Sequence, residues 1–168
     1  MSRIPSELRE FIDETGLLLE SGGLPRTAGQ VLAWMLVCEP EHQSLSDLSS
    51  VLGISKASAS SVTRLLMQIG FLERTVAPGD RRDYFRISRR AWLRFFTSRI
   101  ELMHHLRENA EHGLQVLAEA PPKRRERLQR MLRLYSFLER EMAALLDRFE
   151  VEEAQRVPAK PLSVSEMT

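Results

Sequence analysis

Along the chain the spacing of apolar residues switches between helical and alternating periods, and each switch marks an element. From residue 6 to 21, Leu8, Phe11, Ile12, Thr15, Leu18 and Leu19 recur three and four apart. This predicts a helix with one buried stripe. Ser6, after Pro5, can cap it, and Gly22-Gly23 ends it. Glu7, Glu10, Asp13, Glu14 and Glu20 make its outer face acidic, so that face is not expected on DNA. Pro25 opens a second helix that runs to about Cys38, ahead of Pro40. Val31, Leu32, Trp34, Met35, Leu36 and Val37 make it apolar nearly all round. It is the expected spine of the fold.

Two short helices and a ribbon follow. Ser44 with Asp47 three residues on is a capping pair. Leu45, Leu48, Val51 and Leu52 then keep helical spacing until Gly53, which supplies a left-handed end before Ile54. Ser55 caps the next helix at once. Helices joined by so short a turn cross steeply, as a helix-turn-helix. In the second of them Ala59, Val62, Leu66 and Ile69, widened by Leu65, form the apolar stripe. Opposite lie Lys56, Ser60, Ser61, Thr63, Arg64 and Gln68, without one acid. Gly70 closes the helix. Residues 71–76 and 84–87 read as strands around the turn Ala77-Pro78-Gly79-Asp80, with Arg81 and Arg82 at or beside its tip.

The remainder is helical. Over residues 89–118, Trp92, Phe96, Ile100, Met103, Ala110, Leu114 and Leu117 fall near one side, and Pro121-Pro122 breaks the run. Over residues 123–150, Leu128, Met131, Tyr135, Leu138, Met142, Leu145 and Phe149 step three and four, a heptad seam. Leu132, Leu134, Phe137 and Leu146 widen it beyond what one helix can hide, which implies packing on the preceding helix and on another chain. Acids and bases balance here, so this half is not expected to be another DNA surface.

Charge sharpens the picture. The 168-residue chain has a formal net charge of only +1. Residues 55–90 hold eight basic side chains against three acidic ones. Such concentration is the footprint of a nucleic-acid surface. An ordinary solvated face would mix Glu with Lys. Small hydroxyl side chains let a helix backbone approach a groove, Ser and Thr contact phosphates or bases, and Arg grips guanine through two hydrogen bonds. The helix N-terminus itself attracts phosphate. The candidate DNA contacts are Ser55, Lys56, Ser58, Ser60, Ser61 and Arg64 on the helix, with Arg81, Arg82 and Arg86 on the ribbon.

The helix-turn-helix followed by Gly-Phe-Leu-Glu-Arg and then Pro-Gly-Asp-Arg-Arg-Asp-Tyr-Phe-Arg-Ile-Ser resembles the winged-helix domain of MarR-type transcriptional regulators. Residues 24–38, Leu-Pro-Arg-Thr-Ala-Gly-Gln-Val-Leu-Ala-Trp-Met-Leu-Val-Cys, are similar to a segment of the glycine-betaine-synthesis-regulator branch. The resemblance covers roughly residues 1–150. It implies a dimer of winged helices, with the second helix of the motif in the major groove and the wing at the minor groove. Asp80 and Arg82 match the family's acid-x-Arg wing motif, in which the acid helps hold the Arg. The run Ser58, Ala59, Ser60, Ser61 departs from the family's pattern and leaves the operator sequence open. The betaine branch suggests a small cation such as choline as effector.

Other chemistry is thin. One cysteine excludes an internal disulfide and points to a reducing cytoplasm. Cys38, between Val37 and Glu39, reads as a buried inert thiol rather than an oxidant sensor. His104, Glu108 and His112 share a helix face, a spacing open to metal or pH sensing but short of a closed site. No metal or cofactor is expected. Trp34, Trp92 and Phe96 are candidate effector-lining aromatics, with Phe95 beside them, although plain core is the favoured reading of all four. No signal peptide or membrane-spanning run is expected. There is no phosphate loop, no HExxH and no nucleophile–His–acid set, so no enzyme is expected.

The fold class expected is mainly α with a small two- or three-stranded antiparallel wing, a winged helix-turn-helix with N- and C-terminal dimerisation helices. Residues 1–23 form the first dimerisation helix, 24–88 the DNA-binding domain, 89–150 two long dimerisation helices and 151–168 a disordered tail. The expected function is a sequence-specific regulator, a repressor, binding a pseudo-palindromic site on double-stranded DNA as a homodimer and tuned by a small-molecule effector. The alternative is a winged-helix protein-interaction scaffold with no DNA target.

Overall fold

A computed structural model describes residues 4–76 and 82–156. Along them run α1 (Ser6–Ser21), α2 (Arg26–Val37), β1 (Gln43–Ser44), α3 (Leu45–Leu52), α4 (Lys56–Gln68), β2 (Leu72–Thr75), β3 (Tyr84–Ile87), α5 (Ala91–Val116) and α6 (Pro122–Arg156). The chain forms two compact units, 1–96 and 97–168.

In the first unit α2 is the spine, as its sequence requires. Ala28, Gly29, Val31, Leu32, Ala33 and Met35 are buried in it. The core continues through Leu48 of α3, Ala59, Val62 and Leu66 of α4, Phe71, and Phe85 of β3. The apolar surround stops at the last turn of α2, where Leu36 and Val37 are exposed. The helix ends at Val37, and Cys38 is already extended.

α1 lies against α2 through two glycines. A Cβ added at Gly29 would stand 2.8 Å from Gly16 Cα, so the two backbones touch where neither has a side chain. Gln30 Nε2 donates to Asp13 Oδ1 at 2.7 Å across the same seam, so Asp13 is not part of a free acidic face. Ile12 is buried and Leu19 packs on the core, but Phe11 and Leu18 point outward with Leu17. The inward stripe of α1 is therefore narrower than the expected one. Ser6 makes no cap bond: Pro5 holds the cap position and Ser6 is the first helical residue.

The sheet has three antiparallel strands in the order β1-β3-β2. β2 pairs with β3 from Leu72↔Ile87 to Thr75↔Tyr84, and β1 adds Gln43↔Phe85 and Ser44↔Tyr84 on the other edge. Residues 77–80, where a turn is expected, and Arg81 lie outside the described residues.

In the second unit Leu128 of α6 reaches to 3.0 Å from the position of a Cβ at Gly113 of α5. Ala110 is fully buried there. α6 has no buried residue at all, although Leu134, Phe137, Leu145, Phe149 and Val151 lie on it. It continues to Arg156, so residues 151–156 are helical rather than part of a disordered tail. Residues 157–168 lie outside the described residues.

Candidate nucleic-acid interface

Four local features set α3, the turn after it and the start of α4. Ser44 and Asp47 make a full capping box at the start of α3, with Asp47 N–H donating to Ser44 Oγ at 3.2 Å and Ser44 N–H to Asp47 Oδ2 at 2.9 Å. Gly53 takes φ +69°, the left-handed end that a side chain resists. Ser49 Oγ then donates to the Ile54 carbonyl at 2.6 Å and ties the turn back to α3. Ser55 Oγ accepts from Ser58 N–H at 3.0 Å and starts α4.

Burial of Ala59, Val62 and Leu66 fixes the rotation of α4 and leaves one face to solvent. Ala57, Ser61, Arg64 and Gln68 recur four, three and four apart on that face, with Lys56 beside them near the N-terminus. Ser58 and Ser60 are half-buried at its edges. Ala57 was missed in the sequence because it is neither polar nor on the apolar stripe. Its small side chain leaves the α4 backbone uncovered on that face. Thr63 is a correction. It is buried to 1 % exposure, and its Oγ1 donates to the Ser60 carbonyl at 3.1 Å. It belongs to the core side of α4, because residue 63 follows Val62 around the helix toward Leu66.

The ribbon treats its arginines differently. Arg86 faces Glu73 across the β2–β3 ladder, with Nε 2.7 Å from Glu73 Oε1, and Ser88 Oγ donates to the other carboxylate oxygen. Its charge is balanced within the free chain, which lowers its claim on phosphate. Arg74 and Asp83 lie 3.6 Å apart. Arg82 donates from Nη2 to Tyr84 Oη at 2.8 Å, and its guanidinium sits 5.4 Å from the Tyr84 ring centroid. Tyr84 thus positions Arg82 at the foot of the wing. Asp80 and Arg81, the other wing candidates, lie outside the described residues.

The candidate effector aromatics do not converge. Trp34 donates from Nε1 to Gln43 Oε1 at 3.3 Å and lines a cavity of about 530 Å3 with Pro40, His42, Gln43, Tyr84 and Arg82. Neither Trp92 nor Phe96 lines it. They belong to a ring cluster at the start of α5, where Phe71 meets Trp92 edge-on at 4.8 Å and stacks on Phe95 at 5.0 Å, and Phe95 meets Phe96 at 5.5 Å. Gln43, buried and bonded to both Trp34 and the Pro40 carbonyl, is the cavity residue the sequence did not mark.

Cys38 is buried, and burial first, with a backbone hydrogen bond acting against it, pushes its thiol to about 11. It is protonated at neutral pH and chemically quiet. His104 does not build a site with His112. Its Nδ1 meets Glu139 Oε1 of α6 at 2.7 Å and its Nε2 meets Glu108 Oε1 at 3.2 Å. Arg107 Nε also donates to Glu139 at 2.8 Å. Chiefly the Glu139 hydrogen bond raises His104 above its ordinary value, and chiefly the His104 bond lowers Glu139.

Comparisons with known proteins agree with this geometry. Residues 22–83 match a model described as MarR family, and residues 90–153 match one described as MmpR5-like MarR family transcriptional regulator. The chain is 39% identical over 143 residues to the HTH-type transcriptional regulator MmpR5 of Mycobacterium tuberculosis (strain ATCC 25618 / H37Rv), covering 85% of this chain and 87% of that protein. It is 24% identical to the putative HTH-type transcriptional regulator YvaV of Bacillus subtilis (strain 168), covering 90% and 92%. A crystal structure described as that of a transcriptional regulator is 39% identical and covers 86% of this chain and 98% of its own, with a TM-score of 0.76.

Proposed function

This chain belongs to the MarR family of transcriptional regulators, and from that premise we propose that it is a repressor acting as a homodimer on a pseudo-palindromic operator. It is a winged helix-turn-helix, DNA-binding regulator. The observation that carries the reading is the acid-free face of α4, on which Lys56, Ser61, Arg64 and Gln68 stand exposed around Ala57. Such a face fits a major groove: Arg64 and Gln68 reach base edges, and Ser55, Ser58, Ser60 and Lys56 hold phosphates near the helix N-terminus. Arg82, set by Tyr84, holds the backbone or minor groove beside it, and Arg81 extends that contact.

The second copy follows from bare apolar surface. Phe11, Leu17 and Leu18 of α1 and the outward residues of α6 are too many for a solvent face. A two-fold axis sets the two α4 helices about one DNA turn, roughly 34–36 Å, apart. An effector acts by favouring a spacing or tilt of the two α4 helices that no longer matches the operator. The cavity beside Trp34 and Arg82 is its candidate seat. The finer likeness to glycine-betaine-synthesis regulators rests on residues 24–38 alone. The protein works in the cytoplasm without a catalytic step, metal or cofactor. No helix among the described residues is long and apolar enough to cross a membrane.

The test is a salt titration of the protein against a labelled fragment of its own promoter, with random duplex as competitor. Steeply salt-dependent retention that survives the competitor is expected. Loss to the competitor would mean nonspecific binding. A folded dimer that does not bind even at low salt would overturn the repressor reading and favour a protein-interaction scaffold.

A further inference from the structure

We infer that the first two turns of α6 form a second DNA-binding surface, which holds the phosphate backbone of a duplex without reading its sequence. The surface is additional to α4 and the wing, and it belongs to the other unit of the chain.

Charge is spread unevenly along α6. Residues 122–133 carry six basic side chains and one acidic, whereas residues 134–156 carry three basic and six acidic. A count over the whole helix conceals this polarity. The cations stand at the wrong end for the helix itself, because the macrodipole favours acids in the first turn and bases in the last. The first turn has no acid. An anion from outside the helix relieves both the dipole and the mutual repulsion of these side chains.

The basic side chains divide by what they touch. Arg125 turns back and donates from Nη1 to the Ala118 carbonyl at 3.4 Å, and Arg130 pairs with Glu126, the one acid of the stretch. Lys123, Arg124 and Arg127 are exposed and, among the described residues, have no carboxylate partner. With Pro121 and Glu126 these three line a cleft of about 460 Å3. On the ribbon, by contrast, Arg74 and Arg86 already face Asp83 and Glu73.

The chemistry of the surface selects the partner. No large apolar side chain is exposed between Val116 and Leu134. A protein partner is held by an apolar or aromatic centre inside a polar rim, and this surface offers no such centre. A DNA backbone is held by cations alone, through the counterions they release. Lys123 and Arg127 lie one turn apart, so the three cations span about 6 Å of helix axis. Phosphates of one strand advance about 3.4 Å per nucleotide along the duplex, and the cluster therefore spans two to three of them. Arg124 and Arg127 can each take a phosphate through two parallel hydrogen bonds. Contacts of this kind carry no sequence information.

The experiment uses the full-length protein with Lys56→Ala and Arg64→Ala, so that α4 does not mask the second surface. Anisotropy of a labelled random duplex is followed at several salt concentrations, before and after adding Lys123→Gln, Arg124→Gln and Arg127→Gln. Each phosphate contact contributes about 0.9 to the slope of log affinity on log salt, so losing three is expected to flatten the slope by about 2.7. Arg124→Lys with Arg127→Lys keeps the charge and is expected to keep the slope; a loss as large as that of the Gln variant would mean a structural role and overturn the inference. Arg140→Gln with Arg148→Gln removes cations from the acidic half of α6 and is expected to leave the slope unchanged. A proportionate loss there would mean that net charge alone acts, and would overturn it too. An unchanged slope in the triple Gln variant, with the parent's circular dichroism and sedimentation, would assign the patch to an acidic protein surface instead. If the Lys56→Ala, Arg64→Ala protein holds no random duplex even at low salt, the second surface is refuted and the α4 reading stands. Failure of the unsubstituted protein to hold any duplex would sink both.

Discussion

Replacing Gly29 by Ala tests how α1 is held. The new Cβ would sit 2.8 Å from Gly16 Cα, 3.2 Å from the Gly16 carbonyl oxygen and 3.2 Å from Leu19 Cβ. Two of these are backbone atoms, so no side-chain rotation relieves the clash. The helices must part by roughly 0.5–1 Å, and a gap of that size forfeits about a quarter to a half of each dispersion contact across the seam. Leu19 of α1 packs there, and Ile12 of the same helix is buried. Overpacking of this kind costs about 1–3 kcal/mol. Ala is the better helix former by about 1 kcal/mol, which leaves a net loss of about 0–2 kcal/mol. Gly22→Ala is the control: its Cβ would meet the Leu19 carbonyl oxygen at 3.4 Å and the Leu18 carbonyl oxygen at 4.0 Å, both ordinary contacts, and φ there is −85°. That substitution is expected to be neutral, or to stabilise by about 0.4–1 kcal/mol through the unfolded chain. Urea midpoints followed by circular dichroism, at one fixed protein concentration, give both numbers. Gly29→Ala proving more stable than the parent, as an unstrained helical Gly→Ala is, would refute the glycine-contact account of the α1–α2 seam.

Three further outcomes are expected. Arg64→Ala lowers operator affinity by about 1–3 kcal/mol, roughly 5- to 150-fold, and relaxes sequence preference, whereas Lys56→Ala weakens binding to all duplexes and reduces the salt slope by about one; fluorescence anisotropy at several salt concentrations separates the two. Ser44→Ala removes a buried cap acceptor from α3 and destabilises by about 0.5–2 kcal/mol in the urea assay. The His104–Glu139 contact makes stability pH-dependent. His104, raised, contributes fully below its ordinary 6.5 and loses that contribution as pH rises through the raised value; Glu139, lowered, contributes above its ordinary 4.5 and loses it as pH falls through the lowered value. Urea midpoints are therefore expected to fall as pH rises above the ordinary histidine value of 6.5, and His104→Gln to flatten that fall; an unchanged slope in the variant would remove His104 as the cause.

Much of the first unit was legible in the chain, because the signals there are local. A capping box, a left-handed glycine and an N-cap serine are set by residues within four positions of one another. They place α3, the turn and α4 wherever the rest of the chain lies. The all-apolar run of α2 likewise allowed one role. Even the rotation of α4 followed from Ala59, Val62 and Leu66, and with it the exposure of Ser61 and Arg64. The same reasoning misassigned Thr63, because a hydroxyl one position from the stripe can satisfy itself on the Ser60 carbonyl and go inward.

What depends on residues far apart in sequence belonged to the tertiary structure alone. No local pattern pairs Gly16 with Gly29, or brings Gln43 and Ser44 beside Tyr84 and Phe85 as a third strand. Arg86 looked as available to DNA as Arg64 until the ladder register put Glu73 opposite it. Trp34, Trp92 and Phe96 carried the same signal of large apolar rings, and only packing assigned Trp34 to a cavity and the other two to the Phe71 cluster. For α6 the heptad showed that apolar surface exceeded one helix's needs. Only the contact with α5 divided that surface into an inner face and an outer stripe. Periodicity determines that a side chain faces a neighbour; which neighbour it faces is decided by long-range packing, where burial and charge pairing are summed over elements that no short window contains.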